Sequence, residues 1–341
     1  MKAMVLKKVC AFAENNTPLE PSDLPEPCLS EKEILVKISA CGVCHTELDE
    51  IEGRTPPSRF PMVPGHQVVG TVVEGGPKTG RFGIGERVGI GWIYSACGQC
   101  QNCRSGNENL CADFMATGRD AHGGYAEYMA VPEAFAHKIP GFFSDTEAAP
   151  LLCAGAIGYR SLKLSGIVNG QNLGLTGFGA SAHLVVKMVR HQYPETQIFV
   201  FARSERERRF AKTLGAVWAG DTDETAPEKL DSVIDTTPVW KPVVEALKNL
   251  KSGGRLVVNA IRKEDLDKDY LLNLSYSDHL WLEKEIKSVA NVTRADIGDF
   301  LKLAAAIQIK PEVQLFGLEA ANTALLELKQ RKIRGAKVLK I

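Results

Sequence analysis

The sequence predicts an α/β protein of two domains, a β-rich unit and a parallel sheet covered by helices. The chain has 341 residues, of which 44% are hydrophobic, which is sufficient for two cored units. Up to about residue 150, short apolar runs such as "QVVGTVVEGG" and "GYAEYMAVP" are broken by Gly and Pro, which is typical of a small barrel or sandwich. From about 155 to 285, strands alternate with helices, which indicates a doubly wound parallel sheet.

The alternating part contains, in order, the strand "LGLTG", the helix "SAHLVVKMVRH", the strand "IFVFA", the helix "ERERRFAKTLG", the strand "DSVIDTT", the helix "PVVEALKNLKSGG" and the strand "RLVVNA". Beyond about residue 290 come a helix, "ADIGDFLKLAAAIQI", a strand, "EVQLFGL", a second helix and a terminal strand, "AKVLKI".

Charge and cysteine content argue against several classes of protein. The 41 basic and 41 acidic side chains cancel, so no net field attracts nucleic acid or an anionic membrane, and a small neutral substrate fits better. The start, "MKAMVLKKVC", lacks the apolar stretch of a signal peptide, and no window has the length of a membrane span, so we expect a cytosolic protein. There, nine cysteines are expected to be ligands, nucleophiles or small core residues rather than disulfides.

The strongest metal signal is the loop "CGQCQNCRSGNENLC", which contains Cys97, Cys100, Cys103 and Cys111. Four thiols in a short polar loop can converge on one tetrahedral ion, so we predict a structural zinc site. An iron–sulfur cluster is the rival interpretation, although the ferredoxin run spaces its fourth cysteine differently and follows it with Pro. Four unrelated core cysteines would be the simplest alternative.

A reactive zinc needs three protein ligands and one open position. Cys44 in "CGVCHTELDEIEG", His66 in "PGHQVVG" and Cys153 in "PLLCAGAIGY" are the candidates, each from a different segment. A set of two cysteines and one histidine leaves zinc electrophilic enough to polarise a carbonyl. Taken singly, Cys153 could be a small buried residue and His66 a hydrogen-bonded loop residue.

The alternating part supplies a candidate nucleotide site. In "LGLTGFGASAHLVVK", Gly177, Gly179 and Ala182 match the G-x-G-x-x-G/A pattern at a strand-to-helix turn. The pyrophosphate of a dinucleotide can bind there, against backbone N–H groups at the start of the helix. A simple tight turn is the alternative.

These motifs, in this order and over nearly the whole chain, resemble the zinc-containing alcohol dehydrogenases of the medium-chain dehydrogenase/reductase superfamily. The resemblance implies a GroES-like β-rich catalytic domain, residues 1–154 and 288–341, around a Rossmann domain, residues 155–287. It implies a zinc-dependent alcohol dehydrogenase, or aldehyde or ketone reductase, with two zinc ions per chain, assembled as a homodimer or homotetramer. The alternatives are a non-catalytic zinc- and nucleotide-binding protein of the same fold and a zinc-only nucleic-acid-binding module.

The resemblance also assigns roles within the first motif. The cysteine directly before the histidine is the zinc ligand, which implies Cys44 and not Cys41. His45 is then expected to face the pyrophosphate or ribose of the cofactor, and Thr46 to relay the proton of the substrate. Glu47 stands where the family usually has Asp, a carboxylate that hydrogen-bonds the zinc-ligating imidazole.

The chain departs from the family at several of these positions. Gln67 replaces the usual Glu after the zinc-binding histidine, and an amide is a poorer zinc ligand than a carboxylate. Glu52 and Asp49 stand where some members have the outer histidine of the relay, so the proton is expected to leave through Glu52 or through the cofactor ribose and water. Trp92 and Tyr94 hold family positions of the substrate-pocket wall, although they could equally be barrel core.

The last expectations concern the cofactor. Arg294, in "TRAD", has the family position that faces the cofactor phosphates, and an exposed surface arginine is the alternative. An NAD-specific domain usually ends its second strand with an acidic residue that binds the ribose hydroxyls. Here Ala202 holds that position and Arg203 and Ser204 follow, so we predict NADP over NAD. Alternatively, Arg203 stacks on the adenine, which would serve both cofactors.

Overall fold

The computed structural model describes residues 1–330 and 335–341. Over these residues the chain forms two compact units, the first of residues Met1–Cys153 and Val292–Ile341 and the second of residues Ala154–Asn291. None of the helices in the described residues combines the length and the apolar character that a membrane crossing requires.

The described strands are, in chain order, β1 (Lys2–Leu6), β2 (Leu19–Asp23), β3 (Glu33–Val43), β4 (Val68–Gly75), β5 (Arg87–Ile90), β6 (Ile93–Ser95), β7 (Met115–Ala116), β8 (Tyr128–Pro132), β9 (Ala136–Lys138), β10 (Asn172–Thr176), β11 (Gln197–Phe201), β12 (Trp218–Gly220), β13 (Leu230–Asp235), β14 (Leu250–Val258), β15 (Glu285–Ser288), β16 (Val313–Gly317) and β17 (Ala336–Lys340). The described α-helices are α1 (His45–Ile51), α2 (Gln101–Arg104), α3 (Asp145–Ala148), α4 (Ala154–Ser165), α5 (Ala180–Gln192), α6 (Glu205–Thr213), α7 (Lys241–Asn249), α8 (Arg294–Ala306) and α9 (Ala321–Lys329).

The first unit is built around β3. Its main sheet has the order β16-β17-β3-β4-β5-β9, and β8 also pairs with β3. The terminal strand β17 lies antiparallel to β3, with Leu339 opposite Cys41, and both residues are fully buried. The end of the chain therefore belongs to the same core as its beginning, because β17 occupies the sheet position next to β3.

Two local features of this unit position the candidate site. The helix α1 begins directly after β3, and the Glu47 side chain accepts a hydrogen bond from the Cys44 backbone N–H at 2.7 Å. Before β4, Gly65 has a φ of 100°, and a Cβ there would lie 2.5 Å from the ring of Tyr125. Only glycine fits this position, and it brings His66 into the buried interior.

The second unit is a doubly wound sheet. Its strands are parallel and have the order β12-β11-β10-β13-β14-β15, so the strand order reverses between β10 and β13. The helices α4 to α7 come from the same unit. This architecture and the β-rich first unit confirm the predicted fold class. The prediction missed β12, which has three residues, and β15, whose four residues are all exposed and carry no apolar pattern.

Candidate functional site

Cys44, His66 and Cys153 come together in the first unit. Their ligand atoms all lie within 4.8 Å of one another, and the two Sγ atoms are 4.0 Å apart. Zinc–sulfur bonds of about 2.3 Å in a tetrahedron would hold two sulfurs about 3.8 Å apart, so the observed spacing fits a bound ion. The three residues lie at the start of α1, in the loop before β4 and directly before α4.

The imidazole of His66 is oriented for metal binding. Its Nδ1 lies 2.5 Å from Glu47 Oε1, and a carboxylate acceptor requires the ring proton at Nδ1. The other ring nitrogen, Nε2, is buried and has no hydrogen-bond partner among the described residues. Glu47 therefore holds both His66 and the Cys44 backbone, and its extra methylene relative to Asp does not prevent the contact.

The electrostatics of the site favour a thiolate. The Cys153 thiol, and then His66, lower the pKa of Cys44 well below its usual range, against the opposing effect of burial. The thiolate is the form of cysteine that binds metals. A donor set of thiolate sulfur and a free imidazole nitrogen is chemically suited to zinc.

The neighbours of these three residues differ in their exposure. Thr46 is buried and its Oγ1 lies 3.7 Å from Cys44 Sγ, whereas the His45 side chain is exposed. The Gln67 side chain packs against the backbone of Gly42, where its Oε1 would be 2.5 Å from an added Cβ. Cys41 is fully buried and does not belong to the candidate metal-binding group of Cys44, His66 and Cys153.

Glu52 forms an ion-pair cluster at the end of α1. Its carboxylate accepts hydrogen bonds from Arg54 Nη1 at 2.5 Å, from the Phe12 backbone at 3.1 Å and from Lys329 Nζ. Burial raises the pKa of Glu52, but the bonds from Lys329 and Arg54 outweigh it, so the pKa lies below its usual range. A carboxylate held in this way is a weak proton acceptor at neutral pH. Asp49 is also paired, with Arg54 Nε at 2.6 Å.

The four cysteines of the lobe also converge. The ligand atoms of Cys97, Cys100, Cys103 and Cys111 lie within 4.8 Å of one another, with Cys97 Sγ 3.9 Å from Cys103 Sγ and 3.5 Å from Cys111 Sγ. The backbone N–H groups of Gln99 and Cys100 lower the pKa of Cys97 to about 6, and Cys111 adds to this effect. The set contains only sulfur donors, which fits a closed structural zinc site.

Arg294 connects this lobe to α8. Its backbone N–H and its Nε donate to Glu108 Oε1 at 2.9 and 3.0 Å, and its guanidinium stacks over the Phe135 ring at 4.7 Å. Glu108 lies three residues before Cys111, within the lobe. The Arg294 side chain thus has a structural partner within the first unit, and its contact with cofactor phosphates stays a prediction.

The second unit carries the glycine-rich turn between β10 and α5. Gly177 has a φ of 73°, and a Cβ there would lie 2.9 Å from Thr237 Cγ2, so a side chain is excluded. Gly179 is the N-cap of α5, and apart from its chain neighbours no described residue has an atom within 4 Å of where its Cβ would be. Ala182 is buried. Open space before a 13-residue helix fits a pyrophosphate bound to backbone N–H groups.

The end of β11 carries the residues predicted to bind the adenine ribose. Ala202 is buried and its N–H donates to Gly220 O at 3.0 Å, while Arg203 and Ser204 are exposed. Arg208 donates to Ala202 O at 2.7 Å and so supports the turn from α6. The Arg203 side chain forms no ion pair within the described residues, which leaves its guanidinium available to a ligand.

Sequence reasoning missed a buried polar cluster at the carboxyl end of β13. Asp235 is fully buried and forms an ion pair with Lys263. Its carboxylate accepts hydrogen bonds from Thr176 Oγ1 at 2.5 Å and from Thr237 Oγ1 at 2.7 Å. It lies where the strand order reverses, which is the usual position of a ligand crevice in such sheets. The signal in the sequence was an aspartate that ends an apolar strand.

The two predicted wall residues have different surroundings. The Tyr94 hydroxyl donates to Glu33 Oε1 at 2.8 Å, and burial followed by this bond raises the pKa of Tyr94. Trp92 packs on Phe114 with ring centroids 4.8 Å apart, and its buried Nε1 has no hydrogen-bond partner among the described residues. The Tyr94 hydroxyl is thus bound to Glu33 on β3, whereas Trp92 Nε1 has no such bond within the described part of the chain.

The chain is similar to known alcohol dehydrogenases. The model of the alcohol dehydrogenase GroES-like domain matches residues 30–141. The chain is 43% identical to a probable alcohol dehydrogenase AdhA of Mycobacterium tuberculosis over 329 residues, which cover 95% of this chain and 93% of that protein.

Solved structures show the same fold. One is CAD from Helicobacter pylori complexed with NADP(H), with a TM-score of 0.84, 24% identity, and coverage of 99% of this chain and 97% of that one. Another is a cobalt- and zinc-bound thermostable alcohol dehydrogenase from Pyrobaculum aerophilum, with a TM-score of 0.84, 22% identity, and coverage of 100% of this chain and 99% of that one.

The fold, the convergent ligand sets and the identity over nearly the whole chain lead to one assignment. The chain belongs to the zinc-containing alcohol dehydrogenases of the medium-chain dehydrogenase/reductase superfamily, and it is an NAD(P)-dependent oxidoreductase that acts on small molecules.

Proposed function

We propose that Cys44, His66 and Cys153 hold a catalytic zinc ion, and that the chain oxidises small alcohols or reduces the corresponding aldehydes or ketones at this site. The observation that carries the proposal is the convergence of three ligand atoms within 4.8 Å, with a free imidazole nitrogen among them. The test is turnover of small alcohols and aldehydes by zinc-loaded protein with both nicotinamide cofactors. Absence of turnover over the whole panel would contradict the proposal.

A zinc ion and a nicotinamide cofactor would supply the chemistry, and the side chains of the protein would orient the substrate. Zinc would polarise the carbon–oxygen bond of the substrate, and the nicotinamide would exchange a hydride with the carbinol carbon. Thr46 Oγ1, buried beside Cys44, accepts the proton of the substrate hydroxyl as it donates its own proton onward. Glu47 keeps the Nδ1 proton of His66 in place, so that Nε2 would be free to bind the metal.

The sequence left two routes open by which that proton could leave the site. Glu52 is held by Arg54 and Lys329 and has a lowered pKa, so it does not readily take up a proton. We therefore favour the route through the cofactor ribose and water. The sites proposed for His45 and Arg294 at the cofactor rest on the family resemblance alone.

A second zinc ion is proposed for the four-cysteine lobe. Its donor set is closed and consists of thiols, so a bound ion would have no position for substrate. Its role would be to hold the loop between β6 and β7, including Glu108 with its bond to Arg294.

We further propose that NADP is preferred to NAD. The support is Ala202 at the position of the usual acidic residue, together with the exposed Arg203 guanidinium and Ser204 hydroxyl. A guanidinium can bind two oxygens of a ribose phosphate at once, whereas a neutral ribose hydroxyl offers no charge to it.

The Arg203→Ala variant tests the cofactor preference. We expect kcat/KM for NADP to fall about tenfold or more, because a hydrogen bond to a charged group contributes about 1.5–3 kcal/mol. The value for NAD should change little. The measurement is initial-rate kinetics with each cofactor at saturating alcohol.

Arg209→Ala is the matched control, since Arg209 is exposed on α6 and pairs with Glu205 at 3.6 Å. It should leave both cofactor constants unchanged. Equal losses for NADP and NAD in Arg203→Ala would indicate stacking on the adenine, and a wild-type preference for NAD would defeat the proposal.

A further inference from the structure

Glu50 on α1 has no role in the mechanism above and is unusual in its surroundings. Its side chain is 1% exposed, and neither carboxyl oxygen has a hydrogen-bond partner among the described residues. Buried carboxyl groups in proteins are nearly always hydrogen-bonded, because an unmade bond destabilises the fold. Glu47 and Asp49 on the same helix both follow that rule. The exception at Glu50 therefore calls for a functional reason.

Helix geometry directs Glu50 toward the three-ligand site. Thr46 and Glu50 are four residues apart on α1, so they share a face of the helix, with Cβ atoms about 5–6 Å apart. Thr46 Oγ1 lies 3.7 Å from Cys44 Sγ. The helix face that carries the relay hydroxyl thus also carries Glu50, one turn further on.

The charges around Glu50 belong to the same site. Burial, and then the charge of Glu47, raise the pKa of Glu50, while His66 and Arg119 act in the opposite direction. Arg119 stacks over the Trp92 ring at 5.3 Å, and Trp92 Nε1 is itself a buried donor without a hydrogen-bond partner in the described part of the chain. The Glu50 carboxyl group and Trp92 Nε1 are thus two buried polar groups without a hydrogen-bond partner among the described residues.

The metal does not account for Glu50. Among the described residues, the group of ligand atoms within 4.8 Å contains Cys44, His66 and Cys153, and Glu50 is not part of it. A carboxyl group accepts a hydrogen bond from a hydroxyl whether or not it is protonated. Glu50 can therefore accept a hydrogen bond from a hydroxyl group in either protonation state.

We propose that Glu50 is a specificity-determining residue that binds a second hydroxyl group of the substrate, so that the enzyme favours diols and hydroxyaldehydes over simple monoalcohols and aldehydes. The inference rests on the function proposed above, in which the reacting oxygen lies beside Thr46. A spacing of about 5–6 Å between the two Cβ atoms is compatible with two hydroxyl groups separated by a short carbon chain.

The test compares substrates that differ only in the second hydroxyl group. Trimethylene glycol and n-butanol have the same number of non-hydrogen atoms, and both are assayed with zinc-loaded protein and NADP. We expect the wild type to favour the glycol, and Glu50→Leu to lower kcat/KM for the glycol about tenfold or more while n-butanol changes less than about twofold. Glu50→Gln keeps a hydrogen-bonding amide and should keep most of the preference.

Glu245→Gln is the control for loss of a buried carboxyl. Glu245 is 6% exposed and is bonded to Tyr270 and Lys248 in the second unit. This variant should lower the unfolding temperature and leave the substrate ratio unchanged. Glu50→Leu removes a carboxyl group that has no hydrogen-bond partner among the described residues, so the unfolding temperature of this variant should not fall.

Three results would overturn the inference: a wild type that does not favour the glycol, an unchanged substrate ratio in Glu50→Leu, or equal losses for both substrates. If the wild type turns over no alcohol or aldehyde, the proposed function fails and binding decides the role of Glu50. The inference would then be supported if the glycol raises the unfolding temperature of the wild type more than n-butanol does, and if this difference is lost in Glu50→Leu. Equal rises would contradict it.

Discussion

Replacing Cys44 by alanine is expected to abolish turnover while the protein stays folded. The thiolate of Cys44 is one of three candidate ligands, and an ion held by His66 and Cys153 alone would bind far more weakly. Loss of the Lewis acid removes several kcal/mol of transition-state stabilisation, so the rate should fall at least about a thousandfold. The measurements are turnover of a reactive alcohol and zinc per chain, and zinc should fall by one ion.

Cys41→Ala is the matched control for this variant. Cys41 lies three residues earlier, is fully buried and is outside the metal-binding group. It should keep its zinc and its turnover and lose at most a little stability, since a small core residue is replaced by a smaller one. Native turnover in Cys44→Ala would refute the catalytic assignment.

Replacing Cys111 by serine is expected to have the largest effect on stability. Structural zinc sites contribute directly to folding, and the lobe holds Glu108, which bonds Arg294 at the start of α8. A loss of roughly 3–5 kcal/mol corresponds to a fall in Tm of about 10 °C for a domain of this size. Kinetic constants of the protein that remains folded should change little, because the closed site takes no part in the reaction.

Cys28→Ser is the control for general thiol effects, since Cys28 is exposed and outside both cysteine groups. It should leave both Tm and turnover unchanged. A Cys111→Ser protein with native stability but a slower reaction would mean that the lobe acts in the chemistry rather than in the fold.

Local spacing explains how much of the site could be predicted from the sequence. The four cysteines of the lobe lie within fifteen residues, so their convergence needs only one loop. The glycine-rich pattern is likewise local, because Gly177, Gly179 and Ala182 lie within six residues at the start of α5, although the side chain that excludes a Cβ at Gly177 belongs to the distant Thr237. Strand and helix periodicity predicted most of the elements, and the short or exposed strands β12 and β15 escaped it because they carry no periodic pattern.

Contacts between distant segments could not be predicted from residue patterns alone. Cys44 and Cys153 are 109 positions apart, and their association was expected through the family resemblance. The partner of Arg294 lies 186 positions away, and that of Glu52 on α9 lies 277 positions away. Such ion pairs form only in the tertiary fold. The residues next to Arg294 and Glu52 in the sequence therefore do not predict these long-range contacts.

Reversible removal of zinc tests the central claim most directly. Zinc per chain and turnover are measured together while the protein is dialysed against a chelator and then titrated with zinc. With two candidate sites, we expect two ions per chain, loss of turnover in step with the loss of the ion at Cys44, His66 and Cys153, and recovery when zinc is restored. Full turnover by protein stripped of metal would contradict the account.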